Sequence, residues 1–423
     1  MKKYLGITLI ASFIIISMLV QFTPISTTAE VNTIQQITHN ITHNDTKPII
    51  QVDSEDNIHL IWNSFEYFVS FYFYQLSYLS NKGAGETADL ENSLTFEDYR
   101  NFAVDSNGTI HLTMCSLGGG SDSDIFYTNT SNGYFDPINN ITSDSTIQME
   151  NKIVIDENNK IHIIYNDLNN NINYVNTLGG WFGAPLIVNT GTTANNEIGL
   201  AVDSNSKVHI TWKNSESGND EIYYSNNILG AFLQPVNISS DNKFNDSKPA
   251  ISIDSQDNIH FTWIKGNTFS EIYYAYYITS NGTLRTPVNI TKTPTLNDNN
   301  PVICVDSKSI THIAYTGNTT TGFEIYYLNN SEGTFDTPKA ITNNLYDDIN
   351  PSIATDSHNN IHLVWETWIN NLADIYYTTL IVPTPSNTTT DNNGIPAFEF
   401  IPIFIGIIFV FFWKIQKKKT PIP

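Results

Sequence analysis

The sequence predicts an all-β protein: a seven-bladed β-propeller of four-stranded blades, closed by exchange of an N-terminal strand and followed by one C-terminal transmembrane helix. Three observations carry this. A motif of aspartate, short turn and Ile/Val-His-x-x-aromatic recurs, with variations, seven times at intervals of 47 to 52 residues. Each interval holds short runs of β-branched and aromatic residues separated by turn residues. The last repeat lacks its fourth run, while a matching run stands ahead of the first. A period near 50 without helical patterning is the signature of a propeller blade.

Taken in chain order, Lys2 and Lys3 precede an apolar run from Tyr4 to Val20, and "STTAE" offers a small-residue cleavage site after Ala29. Residues 1–29 therefore read as a signal peptide and 30–382 as the propeller. Residues 383–394, "PTPSNTTTDNNG", read as a polar stalk. Residues 395–413 form an apolar run long enough to cross a bilayer as a helix, and 414–423 a basic cytoplasmic tail. The expected topology is a single-pass membrane protein with its N-terminal propeller outside the cell.

Within a repeat, the fifth shows the strands best. "PAISI" is the first, "DSQDN" a turn, "IHFTWI" the second, "EIYYAYY" the third and "TPVNIT" the fourth. Proline in the fourth run suits an outer edge, where no ladder hydrogen bond is lost. "IQQIT", Ile34 to Thr38, aligns with "PVNIT" and is expected to pair beside Asp374 to Leu380 as the missing strand of the seventh blade. The motif pairs are Asp53/His59, Asp105/His111, Asp156/His162, Asp203/His209, Asp254/His260, Asp306/His312 and Asp356/His362. A catalytic histidine is not needed in every blade. These pairs read as architecture. The aspartate is expected to close the turn, and the histidine to sit half-buried between blades, bonded to backbone or to that aspartate.

The charge is lopsided. Six of the 20 basic residues lie at the two ends, and Glu399 is the one acid beyond the stalk. Residues 30–393 thus hold 41 acids against 14 bases. Such a surface repels nucleic acid and attracts cations. The two cysteines, Cys115 and Cys304, fall in distant repeats and read as buried free thiols. Twelve Asn-x-Ser/Thr sequons are candidate glycan acceptors on a secreted chain.

The hairpins "YYITSNGTLRTPVNIT" and "YYLNNSEGTFDTPKAIT" resemble worn forms of the Asp-box of sialidase-like, BNR-type propellers. Ser331, Gly333 and Phe335 remain while the box aspartate is gone. The resemblance spans residues 34–380 and implies a propeller fold. Sialidases of that architecture hold the substrate carboxylate with three arginines, but this chain has two in total, Arg100 and Arg285. Sialidase activity is therefore expected to be absent. The tail is similar in composition to C-terminal anchors of archaeal surface proteins.

Function is sought where the repeats differ. The first repeat carries an aromatic insertion including Phe65, Tyr67, Phe68, Tyr72 and Tyr74, and Trp181 and Trp368 stand outside the repeated tryptophan position. These are candidate contacts for a glycan or a surface protein. An acid stands before each inner strand: Asp45, Asp98, Glu150, Glu197, Asp246, Asp298 and Asp348. They could ring one channel mouth and hold a hard cation such as calcium, or each could cap its own turn. Two classes of function follow. One is a surface-anchored recognition, adhesion or envelope-interaction module. The other is an extracellular polysaccharide hydrolase or lyase, against which stands the near absence of acids in the inner strands.

Overall fold

Each repeat begins its fold at the motif turn. Asp254 shows the pattern: its Oδ1 accepts the backbone N–H of Gln256 at 2.9 Å and of Asn258 at 2.8 Å. The fourth turn residue, Asp257, takes a left-handed φ of 60°. The same two bonds recur in the other six repeats. The left-handed position is Asp, Asn or Ser in six repeats and Gly108 in the second, residues that tolerate that conformation or favour turns.

The computed structural model describes residues 30–382, less 40–42, 69–70, 82–95, 118–122, 132–133, 143–145, 190–194, 217, 240–242 and 294–295. The turns join seven antiparallel sheets. Blade 1 has Asn44–Val52, Ile58–Phe68 and Phe71–Ser80, three strands among the described residues. Blade 5 is complete, with Asp246–Ile253, Ile259–Lys265, Glu271–Ile278 and an outer strand in two pieces, Thr283–Leu284 and Val288–Asn289. Among the described residues no helix is long and apolar enough to cross a membrane. The expected signal peptide, stalk, transmembrane helix and basic tail lie outside the described residues.

Blade 7 closes the ring. Its own strands are Asp347–Thr355, Asn360–Ile369 and Leu372–Ile381. The fourth place is filled from the N-terminus, with Gln35 opposite Tyr377 and Gln36 opposite Tyr376. The closing segment begins earlier than the repeat alignment indicates, since Glu30 and Val31 pair with Ile381 and Leu380. Thr38 then donates to Asp374 at 3.0 Å, and its hydroxyl accepts the Ile375 N–H at 2.9 Å.

That hydroxyl has counterparts. Thr142, Ser239, Thr291 and Thr342 each accept a third-strand N–H in their own blades, at 2.9–3.1 Å. The outer strand is short, and a side chain completes the bonding where its ladder stops. Three of these hydroxyls belong to the sequons at Asn140, Asn237 and Asn289, so local architecture explains those sequons without a glycan.

The core lies between blades. Seven apolar clusters are found among the described residues, each shared by two neighbouring blades. In blade 5, Ile259, Phe261 and Trp263 are fully buried and pack with Ile222 and Tyr224 of blade 4. Alternation sends His260 and Thr262 to the opposite face, and they are buried too. The expected half-burial of the motif histidines is thereby corrected. His59 and His312 are 1% and 0% exposed, and His111, His162, His209, His260 and His362 are likewise buried. The reason is that neighbouring blades cover the second face of each of these strands as fully as the first. A strand buried on both faces gains roughly 2–3 kcal/mol for each large apolar side chain.

The turn serine adds a polar ring. Ser106, Ser204, Ser307 and Ser357 reach the left-handed residue of the next blade, Asn159, Asp257, Asn359 and Asp56, through their hydroxyls at 2.6–3.0 Å. Ser54, Asn158 and Ser255 make the remaining links, to Ser106, Ser206 and Ser309, at 3.3–3.4 Å. Cys115 and Cys304 are buried in different blades and are not joined by a disulfide.

Candidate binding site at the axial mouth

A histidine relay stands inside every blade. The Nδ1 of His59, His111, His162, His209, His260, His312 and His362 lies 2.7–2.8 Å from a third-strand tyrosine hydroxyl, of Tyr78, Tyr127, Tyr174, Tyr224, Tyr274, Tyr327 and Tyr377 in order. The Nε2 lies 3.3–3.5 Å from Oδ2 of the motif aspartate: Asp53, Asp105, Asp156, Asp203, Asp254, Asp306 and Asp356. The expected bond to the aspartate forms at His59, His209, His260 and His362, while at His111, His162 and His312 the ring nitrogen faces the carboxylate at 3.4–3.5 Å without a hydrogen bond. The other half of the arrangement is an addition: at His59 and His312, as at the other five, the second ring nitrogen meets a phenol. The cause is register, since the tyrosine sits one strand over on the same face and its hydroxyl reaches the ring. The motif aspartate also does more than close its turn, because Oδ1 holds the turn while Oδ2 faces the histidine.

Burial would raise the Asp254 carboxyl, but bonds from His260, Asn258 and the turn backbone outweigh it and hold the group down at about 2. Burial pushes His111, His162 and His362 down, against the pull of their aspartates. The consistent arrangement is a carboxylate accepting from a neutral imidazole, which accepts in turn from the phenol. The blade 5 relay of Asp254, His260 and Tyr274 borders a cavity of about 810 Å³. Tyr174 and Tyr274 are covered edge-on by Phe232 and Phe335 of the following blades. Phe335 is the aromatic residue of the worn Asp-box hairpin, so that hairpin serves packing.

The other end of the inner strands is different. All seven shift register near their start. Lys47, Glu197, Lys248, Asn300 and Asn350 take left-handed φ values of 48–53° there. A bulge re-aims side chains, and here polar ones meet around the axis. Their bonds run from blade to blade. Arg100 donates to Asn63 at 2.5 Å, and Asn101 to the Asn151 carbonyl at 2.9 Å. Glu150 accepts the Ile198 N–H at 3.3 Å, and Glu197 the Lys248 N–H at 2.6 Å. Lys248 Nζ donates to Asn300 at 2.5 Å, and Asn300 to Asn350 at 2.6 Å. Glu366 closes the collar by accepting the Lys47 N–H at 2.6 Å.

Two cavities open on this collar, of about 440 and 250 Å³. They share Glu150, Lys152 and Asn300, and together they touch the inner strands of all seven blades. Burial pushes the Glu150 carboxyl up, with Lys152 opposing, and Glu366 moves the same way. Burial pushes the Lys248 ammonium down, although Glu197 pulls it back.

The seven acids proposed for one ring do not form one. Asp45, Asp246, Asp298 and Asp348 are buried within the blades. Asp45 accepts from Ser64, Asp246 from Trp263, Asp298 from Thr293, and Asp348 from Trp365 and Thr367. Blades 3 and 4 carry Gln148 and Asn195 at that register position. Glu150 and Glu197 stand two residues later, at the bulge. The side chain of Asp98 lies outside the described residues. Among the described residues no three His, Cys, Asp or Glu side chains are grouped to hold a metal, so the calcium reading finds no ligand set.

Burial lifts Asp246 to about 7, with Lys265 opposing. A carboxyl raised in the fold adds stability below its unfolded pKa near 3.8, and loses it as pH rises through 7. Asp246→Asn should therefore gain roughly 2 kcal/mol on wild type between pH 5.5 and 8.5. Urea melts at both pH values test this. An unchanged difference would show that the carboxyl does not ionise in that range.

The aromatic candidates do not converge. Trp181 is exposed on the third-to-fourth strand hairpin of blade 3, on the turn face. Trp368 is half-buried near the collar and donates to Glu366 at 3.1 Å. Phe65 is half-buried at the collar end of blade 1, opposite Tyr74 in register. Tyr67 pairs with Tyr72 there, but the side chains of Tyr67, Phe68, Tyr72 and Tyr74 lie outside the described residues. Sequence reasoning missed the relay tyrosines, the turn serines and the collar cations. The available signals were the recurring "YY" of the third strand, the "DS" dipeptide, and Lys-Pro or Asn-Pro opening four inner strands.

No family model and no curated protein matches the chain. Solved structures do. Polysaccharide lyase Uly1 superposes with a TM-score of 0.56 at 8% identity, over 84% of this chain and 100% of that one. A protein of unknown function from Dyadobacter fermentans gives 0.50 at 10% identity, over 83% and 98%. The β-propeller domain of the Trilobed protease from Pyrococcus furiosus, described as having an open velcro topology, gives 0.50 at 8% identity, over 79% and 95%. At such identities the likeness is one of fold, and the chain is a seven-bladed β-propeller with its terminal strands joined.

Proposed function

We propose that this chain is a cell-surface-anchored extracellular propeller that recognises a ligand at its collar face and lacks sialidase activity. The apolar run at 395–413 and its lysine flank support the anchor. The chain enters at Glu30 and leaves at Val382, both at the turn end of blade 7. The collar therefore opens on the face opposite the point of attachment.

One observation carries recognition over catalysis: the collar carboxylates are engaged in holding blades together. Glu197 accepts from the Lys248 backbone and from Lys213 at 3.1 Å. Glu366 accepts from the Lys47 backbone, Asn350 and Trp368. A general acid or base has to offer its oxygen to the substrate within hydrogen-bond reach. With two arginines in the chain, a sialidase arginine triad cannot be assembled.

The test is a glycan array read beside release of reducing ends and unsaturated uronate from polysaccharides. The expected result is retention of a glycan set without product. Product that accumulates in proportion to protein would make the chain a hydrolase or lyase instead.

A further inference from the structure

The collar reverses the sign of the surrounding charge. Residues 30–393 hold 41 acids and 14 bases. Four of those bases, Lys47, Arg100, Lys152 and Lys248, line the two axial cavities, against two acids, Glu150 and Glu197. Each acid already accepts a backbone N–H from the next blade. The excess of cations lies in the smaller cavity, where Lys47, Arg100 and Lys152 stand against Glu150, while in the larger one Lys152 and Lys248 are matched by Glu150 and Glu197.

We propose that the axial mouth binds an oxyanion carried on a small polar body: the carboxylate or sulfate of an acidic sugar. This deepens the recognition reading and rests on it for the glycan. The larger cavity, about 440 Å³, has the size of a small-ligand pocket. Lys152 lines both cavities, so an anion beside it meets Lys248 across the larger one, with Glu150 and Glu197 on the same lining, or Lys47 and Arg100 in the smaller one, with Glu150. The amide of Asn300, held between Lys248 and Asn350, gives the larger cavity a polar wall, and Pro249 and Pro301 give it apolar ones. The acidic exterior disfavours long polyanions such as nucleic acid and admits a ligand with one or two charges.

Calorimetric titration of the full-length protein with glucuronate, glucose and inorganic sulfate tests this. Glucuronate should bind at least tenfold more tightly than glucose, because a charge-assisted contact is worth about 1.5–3 kcal/mol. Lys152→Gln should weaken glucuronate about tenfold. Lys308→Gln, which removes the same charge on the turn face, should leave it unchanged. Lys248→Gln is a poorer probe, since that ammonium also holds Asn299 and Asn300. Competing sulfate of equal affinity would support the site and identify its determinant as the bare oxyanion. Equal binding of glucose and glucuronate, equal loss in both lysine variants, or no binding of either anion would overturn it. Retention of neutral glycans alone on the array would leave recognition standing and remove the anion site.

Discussion

Deletion of residues 30–38 should lower the melting midpoint by about 10 °C and promote aggregation. The segment supplies the outer strand of blade 7. Its loss removes the pairs at Val31 and Gln36, and the backbone bonds from Asn32 to Thr379 and from Ile37 to Ile375. It also removes Gln36 and Thr38 as donors to Asp374. Val31 and Ile37 leave clusters that contain Leu380 and Ile375. The combined loss is on the order of 5 kcal/mol. It leaves Leu372–Ile381 as an open edge, a template for pairing with another chain. Calorimetry and light scattering of the deletion protein are the measurements. A midpoint within 3 °C of wild type would show that the ring is held elsewhere.

The relay in blade 4 should be costly to break. His209 is completely buried, with Tyr224 at 2.7 Å and Asp203 at 3.4 Å. His209→Ala leaves an imidazole-sized void and takes a partner from both the phenol and the carboxylate. The expected cost is about 3–4 kcal/mol in urea melts. Tyr224→Phe should cost roughly 1 kcal/mol, because the ring still fills its place against Phe261. The double variant should be less destabilised than the sum, since the two side chains act on one bond. Strict additivity would mean that the relay is a set of neighbours without coupling.

What the sequence made legible is what repeats in type. Aspartate six residues before histidine, seven times, gave both the blade count and the register, because each inner turn needs the same carboxylate. The closing strand was legible in "IQQIT" for the same reason: it has to match the outer strands of the other blades. The collar was not. Its positions hold Lys47, Glu150, Glu197, Lys248, Asn300 and Asn350, so residue type varies while geometry is kept. A bulge, set by the backbone, decides where those side chains go. Grouping acids by distance from the motif therefore merged two environments, the buried register position of Asp246 and the axial one of Glu197. The relay tyrosine was hidden differently. Several third strands carry adjacent aromatics, such as Tyr273 and Tyr274, and alternation alone does not tell which one faces the histidine. Without that partner, His59 and His312 read as half-buried packing residues, when the phenol on one side and the carboxylate on the other let them be enclosed.

The way the ring is joined also determines how it would carry a load. A pull applied at Val382 enters through Leu372–Ile381, the strand its residue follows directly. That strand is held along its length on one side by Asn360–Ile369, from Asn360 opposite Ile381 to Ile369 opposite Leu372. On the other side it is held by the N-terminal segment. Force along the strand acts on both ladders in shear, so many bonds share it at once and no blade peels off in sequence. A propeller tethered at this point would transmit tension from a captured ligand to its attachment while the ring stayed closed.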